Sequence, residues 1–465
     1  MESPTSPAWT FSPPERVAVR SAPGDRVLTA LGVILLGYAL MGRGFAYLGV
    51  PPLFVGEIVL AAGLGVVLLA RRMPPLAPAL PMWILGILLA WVTLRVAVGV
   101  PTYGLDAVRD GMIVGYGLYA FVVAGLVMER PERLRVLLER YRVLATVLLL
   151  VGWAVYLVVR IAPESIPIWP WTADVLVVES KAGDLLVHFA TVTAFLLLGW
   201  KRATPWWLGL AVLGSAVLMV SNRGGMLAFL LSMGLFWLLK PKTARFGKIA
   251  YVGAVLVLVG LAVDTSGLET NEGSRSISVE QIWENVASVF GKSDSRALND
   301  TAEWRLQWWS KIVGYTFGGE YFFDGKGFGL NLATDDKFRV DEEESLRSPH
   351  NGHLTLLARG GVPTFLLWLL LQGLWFREVL GAWARARRAG HVAWVGFFAL
   401  CATFWLAALV NASFDVYLEG PMGGIWFWTV FGLAMAGTRL QRSHPHLLDG
   451  LAEPVETPSA PRFGW

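Results

Sequence analysis

The sequence predicts an all-α integral membrane protein with about twelve transmembrane helices and one large, partly helical loop outside the membrane. Of its 465 residues, 55% are hydrophobic and only 16% are charged, and the mean hydropathy is +0.54. A soluble protein of this length carries about 25% charged residues, so the deficit indicates a membrane environment. Apolar runs of roughly 16–22 residues recur along the chain, and each can cross a ~30 Å hydrocarbon core.

These runs place the spans in chain order. The predicted spans lie near 27–42, 52–70, 81–99, 111–128, 142–161, 184–200, 205–221, 224–239, 249–264, 354–376, 392–411 and 421–438. They divide the chain into an N-terminal tail (1–26), nine spans (27–264), an outside loop (265–350), three spans (351–438) and a C-terminal tail (439–465). No repeat of 20–50 residues is visible, which disfavours a transporter built from inverted repeats.

Lysine and arginine are concentrated in alternate short loops, and this alternation sets the predicted orientation. The basic loops contain 71–72, 130–142, 201–202, 240–248 and 377–388. The intervening short loops carry acidic or mixed residues, such as Asp106 with Asp110 and Asp415 with Glu419. Both termini are therefore expected inside and residues 265–350 outside. The formal net charge is only +4, and we expect a lipid bilayer and no nucleic acid as partner.

Two helices are predicted within the outside loop. "SVEQIWENVASVF" (278–290) has helical spacing, and a second helix is expected in "NDTAEWRLQWWSKIVGYTF", capped by Asp300 or Thr301. Trp304 and Trp308 are four residues apart and share one face of that helix, while Arg305 lies on the adjacent face. The tryptophans are typical of a helix lying at the membrane interface, which is compatible with Arg305 reaching into a site.

Several glycines and a run of acidic residues follow in the same outside loop. Gly325, Gly327 and Gly329 permit a close backbone approach, although a single G-x-G is a weak signal. The run 335–344 is strongly acidic. A hard-metal site is conceivable there, but an acidic run is more often a solvated loop, and we favour the loop.

Arg223, in "VSNRGGMLAF", is placed between the end of one span and the start of the next. An arginine at membrane depth is costly, so a functional role with a partner is favoured over simple snorkelling to the headgroups. Gly224 and Gly225 are expected to leave space for a ligand to approach it. Arg109 is also expected near the outer face, but its position favours a functional role less strongly than that of Arg223.

Two histidines stand where the outside loop returns to the membrane. Ser348 is predicted as a helix N-cap and Pro349 as the first helical residue, which places His350 in the first turn. That end of a helix attracts anions such as phosphate, and a neutral imidazole there can accept a proton. His353 lies one turn further on, as a wall residue or a second ligand contact. Alternatively, both are interfacial histidines; a two-histidine metal site lacks a third ligand nearby.

Three segments in this order resemble the bacterial O-antigen ligase and O-antigen polymerase superfamily. "HNGHLTLLARGG", beginning at His350, is similar to the family's histidine–asparagine signature. "SNRGG" (221–225) is similar to its Ser-x-Arg-Gly segment, and "WRLQWW" with Arg305 to its loop arginine followed by an aromatic residue. A later G-x-G matches Gly327 and Gly329. The resemblance covers about residues 215–375.

The resemblance implies a GT-C-like, metal-independent glycosyltransferase of the bacterial inner membrane, with both termini cytoplasmic and its active site facing the periplasm. It implies transfer of a glycan from undecaprenyl pyrophosphate to an acceptor hydroxyl, most simply that of lipid A core, and it requires no cofactor. His350 would accept the proton of the acceptor, and Arg305 with Arg223 would clamp the pyrophosphate. The residues assigned to substrate binding are Asn351, His353, Arg347, Arg359, Trp308, Gly327 and Arg109.

Two departures from the family pattern and three alternative functions remain. Arg359 stands where family members commonly have an acidic residue, and Thr364 stands where they have a second glycine. We expect Arg359 to add positive charge near the acceptor. A growing glycan as acceptor would make the enzyme a polymerase, and a protein hydroxyl would make it a protein O-oligosaccharyltransferase. A lipid or polysaccharide transporter would instead require ionisable residues at mid-membrane, for which Arg95 is the candidate.

Overall fold

The computed structural model describes residues 22–51, 53–69, 79–201, 204–244, 296–339 and 346–451, and most of them are helical. The first elements are α1 (Pro23–Met41), α2 (Arg43–Ala46), β1 (Gly49–Val50), β2 (Leu53–Phe54), α3 (Val55–Leu69), α4 (Leu80–Tyr103), α5 (Leu105–Gly115), α6 (Leu118–Glu129) and α7 (Glu132–Val147). The two strands pair antiparallel, with Gly49 opposite Phe54.

The remaining elements continue the helical bundle. They are a π-helical turn (Leu148–Gly152), α8 (Trp153–Ile161), a 3-10 turn (Pro163–Ser165), α9 (Ala182–Leu197), α10 (Pro205–Ser221), α11 (Arg223–Leu239), α12 (Arg296–Phe317), α13 (Leu332–Asp336), α14 (Gly352–Arg388), α15 (Val392–Ala412) and α16 (Pro421–Ser443).

Five of the described helical segments are long and apolar enough to cross a membrane. They are α1, α4, α14, α15 and the continuous segment Glu132–Ile161 that joins α7 to α8. The pair α5 and α6, bent by 42° at its break, makes a possible sixth span. Four shorter apolar helices, α3, α9, α10 and α11, coincide with further predicted spans. The structure therefore agrees with a multi-pass membrane protein without confirming twelve spans.

Several predicted features lie outside the described residues. They include the span 249–264, the helix 278–290 and both polar tails apart from their membrane-proximal residues. Helix α12 is described, and it begins at Arg296. The predicted cap at Asp300 or Thr301 is therefore wrong, because the helix has already formed one turn before either residue.

The centre of the bundle is formed by α9 and α15. Every residue of α9 from Ala182 to Leu197 is buried except Asp184, which is partly buried, and α15 buries large side chains such as Trp394 and Phe398. Helices α10 and α11 pack against α9, while α14 and α16 pack against α15. Because α9 and α15 are enclosed, their ends are held rigidly relative to the elements around them.

Helix α14 is broken near its start. Gly361 has φ 72° and ψ −176°, and Pro363 follows two residues later. A Cβ at Gly361 would lie 2.6 Å from the carbonyl oxygen of Phe322, and Val362 N donates to that oxygen at 2.8 Å. The break thus needs a residue that accepts positive φ without a side chain. It allows the loop after α12 to pack directly onto the helix.

Candidate active site

The segment that carries His350 ends just before a helix. The N-cap of α14 is Asn351, whose Oδ1 accepts hydrogen bonds from His353 N at 3.1 Å and Leu354 N at 3.0 Å. The predicted start at Ser348 and Pro349 is therefore wrong, since asparagine is at least as strong a cap as serine and sits three residues later. His350 precedes the cap with φ 51°, in the left-handed region where histidine is over-represented.

The imidazole of His350 faces a carboxylate. Its Nδ1 lies 3.6 Å from Asp415 Oδ1, and the two side chains are 31% and 14% exposed. Asp415 lies in the short loop between α15 and α16, where its Oδ1 also accepts a hydrogen bond from Val416 N at 2.8 Å. This partner of His350 is on a part of the chain 65 residues away, and sequence reasoning noted it only as an acidic loop residue.

A lysine completes the environment of Asp415. Lys181, the residue before α9, places its Nζ 3.1 Å from Asp415 Oδ1 and 3.3 Å from Oδ2. Burial acts to raise the pKa of Asp415, but the bond with His350 and the charge of Lys181 hold that pKa below its ordinary value. Burial acts to lower the pKa of Lys181, and Asp415 reverses that effect and raises it. Both groups are therefore charged at neutral pH.

Arg305 reaches the same loop from α12. Its Nη1 donates to the carbonyl oxygen of Phe414, the neighbour of Asp415, at 3.3 Å. Burial lowers the pKa of Arg305, and the Asp415 charge acts against that effect. Trp309, one turn further along α12, donates from Nε1 to Pro349 O at 2.9 Å. Helix α12 is thus tied both to the loop of Asp415 and to the segment that carries His350.

Arg223 is brought to this loop by the start of α11. Asn222 caps the helix, accepting from Gly225 N at 2.7 Å, so Arg223 is the first helical residue and is partly buried. A Cβ at Gly224 would lie 2.7 Å from the Cβ of Phe414. A Cβ at Gly225 would lie 2.7 Å from the Cα of Gly183. The expectation that these glycines leave space for a ligand is wrong, because protein atoms fill that space.

Four charged or titratable side chains therefore lie around one loop, and the helix start that carries Arg223 packs against it. We call Lys181, Arg223, Arg305, His350 and Asp415 the Asp415 cluster. Arg305 lies within α12, and the other four come from the start of a helix or from the residues beside a helix end. Three of the five are cations, so the cluster can bind an anion beside an imidazole backed by a carboxylate.

His353 is directed away from the cluster. Its Nε2 lies 3.0 Å from Leu409 O, and its Nδ1 accepts a hydrogen bond from Trp368 Nε1 at 3.0 Å. Both ring nitrogens are therefore used within the bundle, as expected for a wall residue and not for a second sugar contact. Asn351 is 7% exposed, and its Oδ1 is occupied by the cap.

The other predicted binding residues form a second group around Asp110. Arg359 Nη1 lies 2.8 Å from Asp110 Oδ2, and Arg347 Nη2 lies 3.3 Å from the same oxygen. Arg109 Nε lies 3.7 Å from Asp110 Oδ1, and Gly329 N donates to Oδ2 at 2.9 Å. The expectation that Arg359 presents charge to an acceptor is wrong, because its side chain is 2% exposed and neutralised by Asp110.

The departure at Thr364 also has a packing explanation. Its Oγ1 accepts from Trp91 Nε1 at 2.8 Å and donates to Gly360 O at 2.6 Å. The hydroxyl thus links α4 to α14 beside the break, which a second glycine could not do.

The glycine-rich loop (325–329) packs against the break in α14. Lys326 N donates to Ala358 O at 2.7 Å, and Gly327 N donates to Arg359 O at 3.0 Å. Gly325 has φ 60°, and a Cβ there would lie 2.5 Å from the Arg359 carbonyl carbon. The close approach predicted for these glycines is therefore made to the protein backbone by Gly325 and to the Tyr103 side chain by Gly329. A Cβ at Gly327 would meet no atom within 4 Å, although the amide of Gly327 is already engaged.

Trp308 and Asp336, at the start of the acidic run, are also structural. Trp308 is fully buried, donates from Nε1 to Asp336 Oδ2 at 2.8 Å and stacks on Phe338. Lys326 Nζ contacts Asp336 Oδ1 at 2.6 Å. Trp308 is therefore neither an interfacial residue nor a substrate contact, and Asp336 is not solvated. Within the described ranges, which omit 340–345, no three His, Cys, Asp or Glu side chains form a group that could hold a metal.

The comparison with known families agrees with the motifs. Residues 208–369 match the family model Wzy_C, O-antigen ligase. The matched segment is of the O-antigen ligase family. No curated protein matches the chain.

The O-antigen ligase segment contains Arg223, Arg305 and His350 but not Lys181 or Asp415. The motifs could therefore find three members of the Asp415 cluster, while the other two lie outside the matched residues. The signal for these two was their position, because both stand beside the ends of predicted spans, in short loops that the charge pattern predicts to lie outside. The match supports a glycosyltransferase-type enzyme in a membrane.

Proposed function

We propose that the chain is a periplasm-facing glycosyltransferase of the bacterial inner membrane. It moves a glycan from undecaprenyl pyrophosphate to an acceptor hydroxyl, as an O-antigen ligase acting on lipid A core. The observation that carries the proposal is that Arg305, His350 and the helix start bearing Arg223 meet at the Phe414–Asp415 loop. A cationic group beside an imidazole–carboxylate pair suits an activated donor whose leaving group is an anion.

The reaction begins at the acceptor. His350 directs Nδ1 toward Asp415, which leaves Nε2 to accept the proton of the acceptor hydroxyl. The oxygen of that hydroxyl forms a bond to the anomeric carbon of the donor glycan. The bond from the anomeric carbon to the phosphate oxygen breaks, and its electron pair leaves with undecaprenyl pyrophosphate. Asp415 stabilises the imidazolium that forms.

The leaving group is stabilised by guanidinium groups. Arg305 and Arg223 present planar, always-charged forks that match phosphate oxygens, and charge stabilisation of this kind is usually the largest catalytic contribution. Burial of Arg305 strengthens its attraction for an anion, because there is less water to screen it. Lys181 keeps Asp415 fixed while the substrate charges change.

A transporter fits the structure less well. Its candidate at mid-membrane, Arg95, pairs with Asp324 at 2.9 Å and donates to the Asp324 carbonyl oxygen at 2.9 Å. Asp324 follows α12 in the loop predicted to lie outside. Arg95 thus serves to attach α4 to that loop.

The test is glycan transfer by the purified protein in lipid nanodiscs. Lipid-linked glycan is supplied with lipid A core or with no second acceptor, and products are separated by gel electrophoresis. A single-step product that requires lipid A core supports the ligase. A ladder formed without core would replace the ligase by a polymerase, and no glycan transfer under any condition would refute the proposed enzyme.

A further inference from the structure

A cleft of about 340 Å³ lies between α1, α7, α15 and α16. Its floor contains the buried side chains Cys401, Phe404 and Trp426. Its mouth contains Val33 and Val143, each 63% exposed. The cleft therefore opens from the side of the bundle, where a membrane-spanning helix meets lipid. Its size is at the lower end of ligand-binding cavities, which suits one hydrocarbon chain.

The cleft is distant from the Asp415 cluster. Cys401 precedes the end of α15 at Ala412 by eleven residues, about 16 Å along the helix axis, and Asp415 follows that end. The lining residues of α1 begin at Leu28, in the half of the helix next to the N-terminus. A lipid in this cleft thus has its polar end toward the membrane face opposite the candidate active site.

The rim of the cleft is cationic. Arg140 lines it, is exposed, and donates from Nη1 to Thr29 Oγ1 at 2.7 Å. Thr29 lines the same rim and donates in turn to Asp25 O at 2.6 Å. The guanidinium is therefore held at the edge of the cleft with donors left for an anion. A phosphate headgroup there would be complementary in charge, while its chain lies in the cleft.

We propose that the cleft binds one acyl chain of an anionic phospholipid, with its phosphate on Arg140. The isoprenoid of the donor is the competing occupant. Its phosphates would be held at the Asp415 cluster, so its far end would bring no charge to Arg140. The charge at the rim therefore favours the phospholipid.

The only cysteine of the chain provides a direct probe, because Cys401 is on the floor of the cleft. Purified full-length protein is placed in nanodiscs of phosphatidylglycerol or phosphatidylcholine, and alkylation of Cys401 by a lipophilic maleimide is timed. We expect slower alkylation in phosphatidylglycerol. Arg140→Gln should weaken that protection about fivefold, the effect of one cation on an anionic headgroup. Equal rates in the two lipids with wild-type protein would overturn the proposal.

A matched pair of variants tests occupancy. Gly32 lines the cleft, and Gly86 on α4 does not. A Cβ at either position meets no atom within 4 Å, so Gly32→Phe and Gly86→Phe should fold alike. Mass spectrometry of co-purified lipid should show phosphatidylglycerol lost from Gly32→Phe alone. Equal retention in both variants, or a polyprenyl lipid as the species lost, would refute the assignment. The readout is lipid binding and does not depend on glycan transfer.

Discussion

Asp415 gives the sharpest test of the proposed mechanism. The change Asp415→Asn keeps the size of the side chain and removes its charge. It also mimics the protonated acid, which the wild-type protein does not form at neutral pH. His350 and Lys181 hold the pKa of Asp415 below its ordinary value. The contribution of the ionised Asp415 to folding stability is therefore fully present at any pH above that ordinary value. The contribution is lost only as the pH falls through the depressed pKa, well below the pH of an assay at 7.

The size of the effect follows from the geometry. A full charge on His350, 3.6 Å from Asp415, would be stabilised by about 4.6 kcal/mol at an effective dielectric constant of about 20. If roughly half of that charge has developed in the transition state, the loss is about 2.3 kcal/mol, or about 50-fold in rate. The full value corresponds to about 2,000-fold. We therefore expect glycan transfer by Asp415→Asn to slow by a factor between these limits.

The assay is single-turnover transfer by purified protein in nanodiscs, with Asp415→Glu as the conservative variant. Asp324→Asn is the matched control, because Asp324 is 66% exposed and belongs to the Arg95 pair. Glutamate should restore part of the rate, and the control should retain wild-type activity. Asp415→Asn with a wild-type rate would refute the role of the carboxylate. A loss that glutamate does not reverse, accompanied by an equal loss in thermal stability, would indicate a purely structural residue.

Three further changes test other contacts. His350→Ala and Arg305→Ala should each abolish glycan transfer while the proteins insert and purify normally; wild-type transfer by either would contradict the mechanism. Arg223→Lys should be impaired, because a point charge does not replace a guanidinium fork; full activity would indicate that Arg223 only snorkels. Arg359→Met should lower the midpoint of thermal unfolding, because it removes the nearest cation from the buried Asp110. The cost should stay below the about 3–5 kcal/mol of a buried charge left with no partner, since Arg347 and Arg109 remain beside Asp110, and adding Asp110→Asn should recover part of it.

The sequence was most informative about helices and motifs. Apolar runs such as 81–99 and 392–411 coincide with α4 and α15, because a hydrophobic run of that length is a local property. Motif order led to the O-antigen ligase family for the segment that contains Arg223, Arg305 and His350. Each of these features can be read within a few neighbouring residues.

Local pattern was misleading at the start of α14 and for side chains whose partners lie on another element. Ser348 and Pro349 have the chemistry of a helix start, yet Asn351 provides the cap that is used. Arg359 looked like an added charge, yet Asp110 lies on α5, about 250 residues earlier in the chain. Trp308 looked interfacial until α13 placed Asp336 against its indole nitrogen. The Arg359–Asp110 and Trp308–Asp336 pairings have no spacing that a sequence pattern could reveal.

The sequence alone was enough to predict a helical membrane protein, a segment similar to the O-antigen ligase family, and the arginines and the histidine of that segment. Only the tertiary structure decided which of them meet. Lys181, His350 and Asp415 lie on three segments that come together because α9 and α15 are buried side by side. Hydrophobic periodicity specifies that each helix is buried, but the partner is chosen by packing among all of them. The charge pattern of the Asp415 cluster is therefore a property of the bundle.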